Sequence, residues 1–271
     1  MPQPSPAARA LDPAELDAYR KRGFVVRERV FPPARLERLR AAVEDVHERI
    51  TRAAARGESS VERVDGHRYE RLLDSVVKWE WQETSNQIRS MEPVHHLHPE
   101  LDALIDDPRL VEPCAGLLGR SELSLFTDKL NFKRAGGSPF PWHQDAPYWA
   151  FGCGHLDALV SLQLYLDDAR VGNGCLWAIP GSHRQGVLPA QLDRGVLGRL
   201  YTDVDRIDAG EPVPIEAPAG SVIFFDGYLV HGSQGNRDHD SRRALILTYQ
   251  PAGHPRWNRA DERRIRIPSH A

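Results

Sequence analysis

His143 and Asp145 stand two residues apart in Trp142-His143-Gln144-Asp145, and His231 follows 86 positions later in Tyr228-Leu229-Val230-His231-Gly232-Ser233. In extended backbone, alternate side chains point the same way, so His143 and Asp145 can converge on one point. Gln144 between them should point away. Two imidazoles and one carboxylate on one face of a metal, with the other positions open, is the ligand set of non-haem Fe(II) oxygen chemistry. Neutral imidazoles and a single carboxylate leave part of the metal charge uncompensated. A 2-oxo acid can chelate such an ion and leave one position for O2. A second carboxylate on that acid would need a cation deep in the cavity, and the planar fork of arginine suits it. Arg242 and Arg243 both offer one, but neighbours on a strand point to opposite faces, so only one can look inward. Ser233, two after His231, should share its face and offer a hydroxyl.

A lone His-x-Asp is weak evidence, because most strand histidines are structural. The surrounding residues add to it: Asp167-Asp168, Asn173-Gly174-Cys175-Leu176-Trp177 and Ile179-Pro180-Gly181-Ser182-His183 lie between the two halves of the set. At these residues the chain resembles the phytanoyl-CoA dioxygenase family of Fe(II)/2-oxoglutarate oxygenases, which includes ectoine hydroxylases. The resemblance runs well from Leu123 to Gln250 and loosely through the N-terminal third. It implies Fe(II), 2-oxoglutarate and O2 as cofactor and cosubstrates, with His143, Asp145 and His231 as catalytic metal ligands. The family's arginine stands eleven residues after the distal histidine, which selects Arg242, with Ser233 on the same carboxylate. Asn131 matches an asparagine beside the cosubstrate in the ectoine-hydroxylase branch. Thr127 falls where that branch has a cosubstrate-binding glutamine. A related halogenating branch has a small residue at the position of Asp145, so Asp145 argues for hydroxylation.

Around these residues the chain must build a cavity. From Glu122 the apolar period becomes two. Leu123 and Leu125 alternate with polar neighbours, and the phase flips at Leu125-Phe126, the mark of a bulge or of a join between strands. Thr127, Lys129, Asn131 and Lys133 then share the polar face of a wall. Further strands are expected at 159–166, 175–179, 221–225, 228–232 and 243–250, with turns at 135–139, 171–174 and 219–220. Many short strands with Gly/Pro turns suggest an all-β sandwich or barrel. The resemblance makes this a mainly β fold with flanking helices, a double-stranded β-helix (jelly-roll, cupin-like) core. Phe140, Trp149, Gln163 and Trp177 are candidates to line the substrate pocket, with core packing as the alternative. Residues 184–211 form a long insertion, a candidate lid.

The N-terminal part opens with a capping box at Asp12-Pro13-Ala14-Glu15, and Gly23 stops that helix. Residues 24–31 read as a strand. Pro32-Pro33 opens a long helix with Leu36, Leu39, Val43, Val46 and Ile50 on one face, ended by Gly57. Residues 57–70 read as a polar loop. Lys78-Trp79-Glu80-Trp81 reads as a strand edge or a pocket wall. His95, His96 and His98 read as surface or structural, His183 and Asp226-Gly227 as turn residues, and His155 and His239 as loop residues without partners. Asp107-Pro108 starts a helix that Gly119 ends. A single domain is expected over 1–271: a mobile tail (1–11), a mostly helical support (12–120), the core (121–251) and an Arg-rich tail (252–271).

Composition excludes several classes. The chain has 271 residues, 27% of them charged, and a net charge of −3, so nucleic acid is not an implied partner. No apolar run approaches a membrane span, and the first eleven residues lack the apolar stretch of a signal peptide. Cys114, Cys153 and Cys175 are scattered, as in a cytoplasmic protein with reduced thiols. The expectation is a dioxygenase hydroxylating a small molecule, a metabolite or natural-product intermediate. A metal-dependent cupin-type enzyme that does not use 2-oxoglutarate, and a silent binding protein on the same fold, are the alternatives.

Overall fold

The N-terminal helix α1 (Pro13–Arg22) forms where its cap demands it. The Asp12 carboxylate accepts from the Glu15 N–H at 2.8 Å, and Glu15 accepts from the Asp12 N–H at 2.9 Å. Gly23, at φ 84°, ends it in the left-handed region. The computed structural model describes residues 10–57, 59–82, 85–207 and 210–265. Leu11 is buried in the core and the Ala10 carbonyl accepts from Arg27, so the described end of the expected mobile tail is docked. Residues 1–9 lie outside the described residues.

Strand β1 (Phe24–Arg27) is shorter than the expected 24–31, because Arg29 turns the chain at φ 52°. Helix α2 (Pro33–Ala55) buries Leu36, Leu39, Val43, Val46 and Ile50, the stripe read from the sequence. It packs on a sheet face, where each such side chain contributes about 1.5–3 kcal/mol of burial.

Residues 57–70 are not the expected loop. They contribute β2 (Ser60–Val64) and β3 (His67–Leu72), a hairpin turning at Asp65-Gly66 with both residues at positive φ, 48° and 82°. Asp-Gly is a strong signal for such a turn. It was masked because β2 is exposed on both faces and carries no apolar alternation. Next come β4 (Ser75–Trp79), β5 (Ile88–Glu92), α3 (Pro99–Ile105) and α4 (Pro108–Leu118). The N-terminal part therefore supplies five strands as well as its helices.

The core strands are β6 (Leu123–Asn131), β7 (Phe140–His143), β8 (Val160–Tyr165), β9 (Leu176–Ala178), β10 (Val213–Ile215), β11 (Val222–Asp226), β12 (His231–Ser233) and β13 (Ala244–Pro251). Short helices α5 (Asp145–Trp149) and α6 (Gly195–Gly198) interrupt them, and β14 (Arg263–Arg264) follows. Their pairings are antiparallel and make two sheets. The larger runs β1-β11-β8-β13-β6-β5-β4-β3-β2, with β14 added on β6; the smaller runs β10-β9-β12-β7. This is the jelly roll, with one sheet prolonged by N-terminal strands.

The phase flip at Leu125-Phe126 is a bulge within one strand. Thr127 faces Thr248, while Leu125 faces Tyr249, leaving Phe126 unpaired in the register. The bulge turns Phe126 toward Trp149 and Trp257. The outer face of the large sheet carries the main apolar core with α2, α3 and α4. The Arg-rich tail is docked through residue 265: Arg263 pairs with Asp106 at 2.6 Å, and Arg256 Nη1 donates to His95 Nε2 at 3.0 Å. No helix among the described residues is long and apolar enough to cross a membrane.

Candidate active site

The two sheets enclose a cavity of about 360 Å³. Its walls come from β6, β8, β11 and β13 on one side and β7, β9 and β12 on the other. That is near the lower end of the range for small-ligand sites.

His143 and His231 meet because strand pairing puts them directly opposite each other between β7 and β12. Their ring centroids are 4.2 Å apart. His143 ends β7, Gln144 stays extended (φ −111°, ψ 143°), and Asp145 begins α5. The alternation that brings His143 and Asp145 together thus lasts only through Gln144, and a helix replaces the strand after it. His143 Nε2 is 3.8 Å from Asp145 Oδ1. One ligand atom from each of His143, Asp145 and His231 lies within 4.8 Å of the others.

Each imidazole is oriented by its own chain. His143 Nδ1 lies 2.7 Å from the Pro141 carbonyl, and His231 Nδ1 lies 2.9 Å from the Leu229 carbonyl. A carbonyl only accepts, so each Nδ1 donates and each Nε2 keeps its lone pair for a metal. Burial, then the neighbouring His231, holds His143 well below the usual histidine range, which keeps the imidazole neutral.

Gln144 points away from this cluster. Its amide donates to the carbonyls of Gly186 at 2.8 Å and Tyr228 at 2.6 Å, and its oxygen accepts from Leu188 N–H at 2.9 Å. One side chain therefore ties the metal strand to the approach of His231 and to the start of the 184–211 insertion. That insertion returns over the cavity. Thr202 N–H donates to the Trp142 carbonyl at 2.8 Å, and Leu197, Leu200 and Tyr201 line the cavity. Leu197 N–H reaches the Asp65 carboxylate at 2.7 Å, so the β2–β3 turn holds the insertion from outside.

Arg242 is 1% exposed and faces the cavity. Its Nε donates to the Gly174 carbonyl at 2.9 Å, and its Nη1 has no hydrogen-bond partner. Arg243 points outward to Asp167 and Glu44. Ser233, Asn131, Gln163, Thr127, Phe140 and Trp149 also line the cavity. Asn131 Oδ1 and Gln163 Nε2 are buried without partners, whereas the Thr127 hydroxyl already donates to Glu92 at 2.8 Å. Buried polar atoms are rarely left unmatched. Of these, the arginine nitrogen and the amide nitrogen are donors left free around one cavity, and they suit a polar dicarboxylate held beside a metal.

Trp177 does not line the cavity. Leu176 on β9 faces inward, and period two sends its neighbour to the other face. His155 is not without partners either: it bonds Gln250 at 2.9 Å and stacks on His254. His95 is buried, 2.7 Å from Asp128, so it is structural but not on the surface. His98 caps α3, and His183 bonds the Arg20 carbonyl.

Sequence reasoning assigned no site role to several lining residues: Lys129, Arg89, Glu92, Tyr69, Tyr148 and Tyr201. Lys78 also faces the cavity, while Trp79 next to it is buried in the main core. Lys129 sits between Thr127 and Asn131 on the same polar stripe, which is the signal that could have found it. β5, reading Ile-Arg-Ser-Met-Glu, has no alternation to read. Burial lowers both Lys78 and Lys129, with Glu92 acting in the opposite direction. Burial brings Arg89 down to about 10.

Fold and ligand set together are those of a jelly-roll protein with a facial His-carboxylate-His cluster. The phytanoyl-CoA dioxygenase (PhyH) family model matches residues 19–244, and the chain belongs to that family. It is similar to methylphosphonate hydroxylase of Gimesia maris, 36% identical over 140 residues, 51% of this chain and 50% of that protein. The chain thus spans about half the length of that relative. It is also similar to ectoine dioxygenase of Bordetella bronchiseptica, 29% identical over 261 residues, 89% of this chain and 76% of the relative. Among solved structures, EctD from S. alaskensis with bound Fe matches with a TM-score of 0.64 and 26% identity, covering 94% of this chain and 80% of that one.

Proposed function

We propose that this protein is an Fe(II)/2-oxoglutarate-dependent dioxygenase that hydroxylates a small molecule. The observation that carries the reading is the convergence of His143, Asp145 and His231 beside Arg242, whose Nη1 is buried and unmatched in the same cavity. A metal enzyme that does not use 2-oxoglutarate gives that guanidinium no task. Membership of a dioxygenase family and hydroxylase relatives support the reading.

Fe(II) chelated by 2-oxoglutarate supplies, with O2, the oxidising power to hydroxylate an unactivated C–H bond, releasing succinate and CO2. The protein's own residues do the rest. His143 and His231 present Nε2 as neutral donors because Nδ1 is held by a carbonyl in each. Asp145 supplies the anionic ligand that a halogenating site would lack. Arg242 binds the remote carboxylate of 2-oxoglutarate, with Ser233 and Asn131 alongside; Thr127 stands next to them with its hydroxyl turned to Glu92. The insertion over the cavity, with Leu197, Leu200 and Tyr201, excludes water from a reactive site. Three buried, unpaired cysteines suit a reducing, cytoplasmic compartment.

The test is anaerobic. Fe(II) and then 2-oxoglutarate are added to metal-free protein, and the visible charge-transfer band of a chelated 2-oxo acid is followed. The band is expected in the wild type and is lost in His143→Ala, Asp145→Ala and His231→Ala. Stoichiometric iron without a band would overturn the 2-oxoglutarate assignment.

A further inference from the structure

The cavity holds more positive charge than the proposed cofactors use. Lys78, Arg89, Lys129 and Arg242 line it against Glu92 and Asp145. Fe(II) and the 2-oxoglutarate dianion cancel each other, so the walls keep an excess of two positive charges. Two of the four cations are engaged in other ways. Arg242 is assigned to 2-oxoglutarate. Arg89 donates to the Pro139 carbonyl at 2.6 Å and lies between the rings of Trp81 and Phe140, 4.3 and 3.9 Å from their centroids.

Lys78 and Lys129 are different. Neither makes a hydrogen bond or ion pair among the described residues. Each ammonium group lies near an aromatic ring: Lys78 Nζ is 5.5 Å from the Tyr148 ring centroid, and Lys129 Nζ is 5.6 Å from that of Phe140. They come from different strands, β4 and β6, with β5 between them. Both lie near enough to Asp145 and Glu92 to sense each carboxylate, and they repel one another. Glu92 does not neutralise them by contact: it forms no ion pair with either lysine among the described residues, and its Oε1 accepts from Thr127. Two half-buried lysines left without a partner in one cavity disfavour each other's charge, and a bound anion offsets that repulsion.

We infer that Lys78 and Lys129 form an oxyanion subsite for the substrate, which is a small molecule carrying a carboxylate or phosphonate. This rests on the Fe(II)/2-oxoglutarate reading. The subsite would hold the anionic end beside the iron and leave a neighbouring carbon over the open metal position. Lysine suits it as a movable point charge with three donors.

The experiment uses the anaerobic protein loaded with Fe(II) and 2-oxoglutarate, and three isosteric probes: propionate, ethylphosphonate and the neutral propanamide. Two readouts are followed, the position of the charge-transfer band and the melting temperature. Propionate or ethylphosphonate should shift both, and propanamide neither; the stronger of the two names the oxyanion. Lys78→Met and Lys129→Met should each weaken the response about tenfold or more, with half-saturation by 2-oxoglutarate changed less than about twofold. Folding of these variants is not the obstacle, because each lysine is half-buried and makes no hydrogen bond or ion pair among the described residues that Met would break. A 2-oxoglutarate band that responds to propanamide as it does to the anions, or to none of them, overturns the subsite and leaves the oxygenase reading intact. Lysine variants that weaken 2-oxoglutarate instead of the anion also overturn it, by assigning the lysines to the cosubstrate. Absence of the band in the wild type sinks the oxygenase reading itself, and the subsite with it.

Discussion

Arg242 and Arg243 are adjacent in sequence and opposite in fate. One is buried with a free Nη1 in the cavity; the other makes ion pairs with Asp167 and Glu44 on the outside. Arg242→Lys keeps the charge and loses the fork. It should raise the 2-oxoglutarate needed for half-saturation roughly a hundredfold while iron binding is retained, as checked by anaerobic titration. Lys133 allows a pH prediction. Burial, then Arg242, brings its amine down to about 6, and its Nζ donates to the carbonyls of Ser138 and Gln234. Unfolded, it titrates near the ordinary lysine value of about 10.4. Between these values the unfolded chain binds the extra proton, so stability should rise with pH from about 6 upward and fall as pH drops toward 6. Denaturant titrations across that range should show this slope, and Lys133→Met should flatten it. At this scale the convergence of His143 with Asp145 was legible, because a two-residue spacing in extended backbone encodes it. Trp177 was misread because a strand face cannot be assigned to an aromatic residue without knowing which neighbour looks inward. Lys78 was left without a role because nothing local shows that β4 reaches the cavity.

Strand pairing decides the site at the scale of elements. His143 and His231 meet through the β7–β12 register, a relation between residues far apart that no local pattern carries. The β6 wall was legible because one face is polar and the other apolar, while its phase flip fitted a bulge and a join between strands equally. The β2–β3 hairpin was not, because an exposed edge hairpin buries too little to impose alternation. Its turn nevertheless has a job, since Asp65 accepts from Leu197 N–H. Asp65→Gly keeps a residue that tolerates φ 48° and removes the acceptor. Amide exchange at 195–201 should quicken by roughly fivefold to tenfold, as for loss of one hydrogen bond of about 1 kcal/mol. Global melting should hardly move. Unchanged exchange would mean that the hairpin does not restrain the insertion.

For the whole molecule, the architecture was legible as a helix-flanked jelly roll. The prolongation of one sheet by β2–β5 was not, because those strands follow the N-terminal helices and carry little periodicity. That prolongation brings Lys78, Arg89 and Glu92 to a cavity otherwise built by the core strands. The cavity exists only when the two sheets are folded together, so Fe(II) and 2-oxoglutarate bind the native state alone and the loaded protein should be more stable than the metal-free one. At 2-oxoglutarate and Fe(II) well above their dissociation constants, binding of about 3 kcal/mol should raise the melting temperature by roughly 5–10 °C. A chelator should reverse it in a thermal scan. No shift would mean that the cavity is not the binding site.

Gln144 has an implication for redesign. Its side chain joins the strand of His143 to the carbonyls of Gly186 and Tyr228, and the returning insertion bonds Trp142 through Thr202. The cover of the cavity and the placement of His143 are therefore not separable modules. A foreign loop grafted between Gly186 and Thr202 to recruit a new substrate would have to reproduce these anchoring bonds. Grafts that leave residues 186–188 and 202 in place should keep iron while changing selectivity. Grafts that cut through them should shed iron before selectivity can be measured, which makes metal content the first assay for any such chimera.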